Sequence, residues 1–164
     1  MPRDNRQRSR DIAFFVALMA TALALGAVLA HALELPNKIG LSRADYFIVQ
    51  RVYDGWNQLA YLLAAQVAGI LAVVLLHRRE RRVLWPAATA LAALIAAQAV
   101  FWIWTFPANV ATDQWTSQPE NWETLRRQWE YSHLAGAAFQ VVAMVALVVA
   151  VLRRTAGQRL HAAD

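Results

Sequence analysis

The chain has 164 residues, of which 59% are hydrophobic and 16% charged, with no cysteine and a formal net charge of +5. Soluble domains are ordinarily about 45–50% apolar and about 25% charged, so this composition excludes an ordinary water-soluble fold. The missing cysteine excludes a disulfide framework, a thiolate metal site and a cysteine nucleophile, and the positive charge does not imply nucleic acid, because it sits in short clusters beside apolar runs with no recognition motif.

A hydrocarbon core of about 30 Å needs about 20 helical residues, and four stretches qualify. The first covers 11–35, with Pro36 and Asn37 as its stop signal. It follows a basic leader as a secretory signal would, yet it is long enough to span and has no small-residue cleavage site, so it reads as a retained helix. The second covers 56–76, the third 83–106 with Pro107 ending it, and the fourth 132–152. The fold class expected is all-α, a single transmembrane domain built as an integral four-helix bundle, with tails 1–10 and 153–164.

Basic residues orient the spans. Arg3, Arg6, Arg8 and Arg10 precede the first, Arg78, Arg79, Arg81 and Arg82 fill the second connection, and Arg153, Arg154 and Arg159 follow the fourth. These segments belong on one side, which makes both termini cytoplasmic in a bacterial-type plasma membrane. His77 and His161 flank these arginines and read as solvated. The opposite side holds Lys38, Arg43, Arg51, Arg126 and Arg127 with most of the acids: Glu34, Asp45, Asp54, Asp113, Glu120, Glu123 and Glu130.

The connection between spans two and three is short enough to demand an antiparallel hairpin. In the first outer connection, Ser42 with Asp45 resembles a helix start, and Tyr46, Val49 and Tyr53 recur at helical spacing, so a short interfacial helix is expected there. From Glu120 a helical pattern resumes and runs into span four, giving about 33 residues and about 50 Å at 1.5 Å per residue.

Polar residues gather at the outer end. His31 and Glu34 lie one turn apart on span one, and Glu130 and His133 one turn apart on span four. Imidazole with carboxylate on facing helices is the ligand set of Fe, Mn, Zn or Cu sites, so His31, Glu34, Glu130 and His133 are candidate metal ligands. The same residues suit a hydrogen-bonded boundary cluster, or acid/base chemistry without metal. Trp122, Arg126, Trp129 and His133 form one helical stripe, and an Arg and a His on it point to a cavity or a neighbouring helix rather than to lipid. Six of the seven tryptophans, Trp56, Trp102, Trp104, Trp115, Trp122 and Trp129, fall near the outer face and suit an interfacial belt. Some can also wall a pocket, for which Trp102, Trp129, Tyr53 and Asn57 are the candidates. Gln66, Gln98 and Gln140 fall within the spans and each needs a partner there.

Phe106-Pro107-Ala108-Asn109, a Trp-containing loop, Trp122 through Arg126, Trp129-Glu130 and His133 together resemble the signature of a family of small four-helix membrane proteins that includes the anthrone oxygenases. His31 with Glu34-Leu35-Pro36, and Tyr53 to Asn57, are also similar to bacterial members. The resemblance implies a four-helix bundle and, for the polyketide branch, oxidation of a tricyclic anthrone to an anthraquinone by O2 with no cofactor required. On that analogy His133 is the catalytic base, and Arg126 and Asn109 steady the anion. Leu134-Ala135-Gly136 stands where some relatives carry an Arg. The implied partners are the bilayer and a hydrophobic aromatic or quinone-like substrate, with a homo-oligomer or membrane complex compatible. A non-catalytic binding protein or accessory subunit is the alternative. A transporter is disfavoured, since no pair of spans is interrupted by Gly or Pro.

Overall fold

A computed structural model describes residues 2–161, with side chains over 5–157; every regular element among them is a helix. The side chains of Arg3, Arg159 and His161 lie outside the described residues, so the tail readings that rest on them do too. The elements are α1 (Pro2–Lys38), α2 (Arg43–Gln50), α3 (Leu59–Leu76), α4 (Arg81–Val100), α5 (Phe106–Ala111) and α6 (Trp122–His161). Four helical stretches are long and apolar enough to cross a membrane: Asn5–Lys38, Trp56–Leu76, Arg81–Ala111 and Trp122–Gly157. In these, α1 packs against α3 and α6, and α4 against α6 and α3, which closes a four-helix ring.

One half of the bundle is held by small residues. Ala13 and Ala17 of α1, Ala87 and Ala90 of α4, and Ala143, Ala146 and Ala150 of α6 are buried around Phe14, Ile70, Val73, Leu94 and Leu147. In lipid there is no hydrophobic drive between apolar helices, so close approach of backbones over such residues supplies the packing. Outward faces carry Ile12, Phe15, Met19 and Leu23 exposed on α1, and Val141, Val145, Val148 and Leu152 on α6, an apolar surface that suits a membrane.

Ion pairs close this end. Arg10 reaches Glu80 at 2.8 Å and donates to the Leu76 carbonyl at 3.1 Å, while Arg154 meets Asp11 at 2.6 Å. The start of α1, the α3–α4 turn and the last turns of α6 are therefore neighbours. His77, expected to be solvated, is fully buried there. Its Nδ1 donates to the Val73 carbonyl at 2.9 Å, its ring packs on Phe14, and burial lowers its pKa from the ordinary value.

Two prolines expected to stop helices do not. α1 continues through Pro36 to Lys38; Pro36 forfeits only its own N–H bond, and the turn beyond it is held by Lys38, whose side chain is anchored below. The third span passes Pro107 because Phe101–Thr105 widens into a π turn, in which the Phe106 N–H reaches back to the Phe101 carbonyl. Such a turn relieves the clash a proline ring makes in a straight α-helix. The Gln128 amide then donates to the Trp104 carbonyl at 2.7 Å. The last helix is longer than the pattern suggested, 40 residues from Trp122.

The other end carries an aromatic cap. In α2 the Ser42 hydroxyl accepts from the Asp45 N–H, and Tyr46, Phe47 and Gln50 are buried. Tyr46 and Phe47 pack with Ala108, Trp115, Trp122, Leu125 and Trp129. Three tryptophans assigned to a belt are thus interior groups, while Trp56, Trp102 and Trp104 are exposed. Asp113, Gln114 and Trp115 have φ of 47, 55 and 66, a left-handed run that costs free energy at each non-glycine residue. It returns Trp115 beneath α2, where its backbone N–H donates to Thr112 Oγ1 at 3.1 Å.

Candidate functional site

Because α1 runs through Pro36, His31, Glu34 and Lys38 fall at i, i+3 and i+7 and share one helix face. Lys38 is 3% exposed, a burial that an ammonium tolerates only when paired. Its Nζ lies 3.2 Å from Glu130 Oε1 and 3.4 Å from Glu34 Oε2, and donates to the Tyr53 hydroxyl at 2.6 Å. It also sits over the rings of Tyr53 and Trp129, at 4.6 and 5.2 Å from their centroids. The Tyr53 hydroxyl donates to Glu34, and the Tyr46 hydroxyl to Glu130 Oε1 at 3.0 Å. Both phenols lie outside the spans, and their pKa values are raised, first by burial and then by the carboxylates they face.

Of the four candidate ligands, His31 lies against Glu130 and His133, while Glu34 meets this group through Lys38 and Tyr53. The cation joining the two carboxylates, however, is the Lys38 ammonium. Among the described residues no group of three or more His, Asp or Glu is disposed to hold a metal ion. His31 Nε2 stands 3.6 Å from Glu130 Oε2, with both side chains buried. That separation is beyond a hydrogen bond, and neither atom has another partner among the described residues. Buried polar atoms are seldom left so.

The imidazoles sit in an aromatic column whose rings meet tilted or edge-on. The His31 ring is 4.3 Å from that of His133, 4.6 Å from Trp129 and 4.8 Å from Tyr53, centroid to centroid. His133 Nδ1 lies 2.8 Å from the Trp129 carbonyl. A carbonyl can only accept, so Nδ1 carries the proton and the lone pair of the neutral ring is on Nε2.

This column forms one wall of a cleft of ≈ 770 Å³ between the four spanning helices. His31, Tyr53, Asn57, Trp102, Asn109, Trp129 and His133 all line it, so every pocket residue named from sequence belongs to one cavity. Trp56, Leu59, Trp102 and Phe106 line it and are also exposed, which marks a mouth opening sideways between α3 and the α4–α5 segment. Asn109 Oδ1 accepts from the Trp115 indole at 3.1 Å, and its NH2 has no partner among the described residues. Glu34, Glu130 and Arg126 stand outside the cleft wall. Arg126 donates to the Leu41 carbonyl at 2.7 Å and its guanidinium lies 4.6 Å from the Trp122 ring centroid. It fastens the cap.

Sequence reasoning missed Lys38 as a site residue, and Tyr46 as a partner of Glu130. The signal for Lys38 was its i+4 spacing from Glu34, hidden by reading Pro36 as the end of the helix. No family model, curated protein or solved structure matches this chain.

Proposed function

We propose that this chain is a multi-pass plasma-membrane protein whose cleft takes a flat hydrophobic aromatic or quinone-like molecule from the bilayer, and that it acts as an anthrone oxygenase-like oxidoreductase. The carrying observation is His133: an imidazole with its lone pair on Nε2, set in the wall of an apolar cleft of ≈ 770 Å³ that opens sideways. In this reading Nε2 removes a proton from the acidic CH2 of the substrate, and the Asn109 NH2 steadies the resulting enolate oxygen. The enolate reduces O2; one oxygen atom becomes the new carbonyl and the other leaves as water, so no external reductant is consumed. Arg126, held by the cap, has no part in this chemistry.

Anthrone offered to the purified protein in lipid nanodiscs is expected to yield anthraquinone with one O2 consumed per turnover. His133→Ala should slow this by roughly 10²-fold, the usual worth of a positioned base. Equal rates in the two proteins, after subtraction of spontaneous oxidation, would remove the enzymatic reading. The second reading, a non-catalytic binding or accessory subunit, is favoured by the mutual pairing of Lys38, Glu34, Glu130 and Tyr53, which ties these groups down. It predicts ligand binding without turnover.

The end bearing Arg10, Glu80 and Arg154 is cytoplasmic in this proposal, on the excess of arginine there, and α2 lies at the outer interface. The chain has no native cysteine, so single cysteines report sidedness directly. Ser117→Cys should react with an impermeant maleimide on intact cells, and Arg79→Cys only after lysis. The opposite pattern would invert the topology.

A further inference from the structure

The cleft has polar groups at two depths with an apolar waist between them. The upper tier is His31, Asn109 and His133; the lower is Gln66, Gln98 and Gln140. Gln140 follows His133 by seven residues on α6, about 10 Å at 1.5 Å per residue. Three hydrogen bonds set the other helices against this ruler. Thr105 meets Ser132 at 2.6 Å, which puts that point of the third span beside His133. Gln98, seven residues before Thr105, is then level with Gln140. The Gln66 Nε2 donates to Gln140 Oε1 at 2.7 Å and to Thr21 at 3.2 Å, which puts α3 at the same depth.

Gln66 and Gln140 hold each other in both directions. Gln98 lines the cleft and stands outside that pairing, with no side-chain hydrogen bond among the described residues. Between the tiers the α6 wall has no side chain at Gly136. A Cβ placed there meets nothing within 4 Å, although glycine in a helix interior costs roughly 0.5–1 kcal/mol relative to alanine. The open waist is where a flat ring would lie against the α6 backbone.

Taking the cleft as the ligand site proposed above, the geometry points to a two-ended ligand. It is an elongated, flat, apolar molecule with a hydrogen-bonding group at each end, one held by the imidazole tier and the other by Gln98, and Gly136 gives its body room. Gln98 and Gly136 are then specificity residues that select length and flatness and touch no reacting atom.

The experiment measures quenching of the Trp102 and Trp129 fluorescence in nanodiscs by 2,6-dihydroxyanthraquinone, with hydroxyls at opposite ends, and by 2-hydroxyanthraquinone, with one. The wild-type chain should bind the first roughly fivefold to tenfold tighter, the worth of one neutral hydrogen bond. Gln98→Leu should erase that difference and leave the one-ended probe bound as before. Gly136→Leu should abolish binding of both while leaving the thermal midpoint at or above that of wild type. Full preference retained in Gln98→Leu, or unchanged binding in Gly136→Leu, would overturn the two-ended assignment while leaving the cleft as the ligand site. Failure of the wild-type chain to bind either probe would instead remove the ligand site itself.

Discussion

Lys38→Met is expected to destabilise the protein by about 3–5 kcal/mol, the cost of stranding a buried charge when its partner is removed. Glu130 is 1% exposed and its Oε1 depends on Lys38 and Tyr46. Without the ammonium only the Tyr46 hydroxyl remains on that oxygen, since His31 Nε2 is beyond hydrogen-bond reach of the other. The Met side chain matches the lysine stem in length, so packing over Tyr53 and Trp129 is preserved and the charge alone is removed. Thermal unfolding in detergent, followed by helical circular dichroism, measures the loss. Lys38→Met combined with Glu130→Gln should recover most of it, because a neutral pair leaves no stranded charge. Equal midpoints for the single and double variants would show that the ion pair does not hold α1 against α6.

The same residue shows why the site was only half legible. The pairs His31/Glu34 and Glu130/His133 could be read because each falls within one turn of one helix, where spacing equals position. Their proximity needed only that the chain reverse an odd number of times between spans one and four, so that the end of one lies beside the start of the other. Lys38 required knowing that a helix would continue past a proline, and the reason it does lies on another helix, in Glu130. Propensity assigns Pro36 a stop; a tertiary contact overrides it. Arg126 failed in the opposite way. Its stripe with Trp122 and Trp129 was real, but a stripe has width, and Arg126 turns toward the Leu41 carbonyl while His133 turns into the cleft.

The four apolar stretches were legible for a simpler reason: a membrane span is dictated by composition over about 20 residues, with no long-range information needed. What composition could not give was the division of the bundle into an alanine-packed half and a hollow half. Trp115 could not be placed either, since three successive left-handed residues return it under α2, and no turn motif in the sequence announces them. The tryptophans therefore divided between exposed and interior positions by loop geometry that their spacing does not encode.

Where the two halves meet, one glycine is decisive, and Gly69→Leu should cost about 3 kcal/mol, the upper end for forcing volume into a packed interface. A Cβ at Gly69 would stand 2.7 Å from the Ala17 backbone nitrogen and 2.9 Å from its Cα. Backbone atoms cannot swing aside as a side chain does, so α1 and α3 must separate. One turn further along these helices Gln66 donates to Thr21 and pairs with Gln140, and beyond that Ala24, Val28, Leu62 and Leu63 line the cleft. The α1–α3 crossing is thus the pivot below the cleft floor. Separation at Gly69 breaks the floor's hydrogen bonds and leaves amides unpaired in an apolar setting. The expected result is a lower thermal midpoint together with loss of Trp129 quenching by the dihydroxyanthraquinone. Gly136→Leu, where nothing stands within 4 Å, should lose quenching alone. If Gly69→Leu unfolds with the wild-type midpoint, the helices do not cross at this glycine and the cleft floor is held elsewhere.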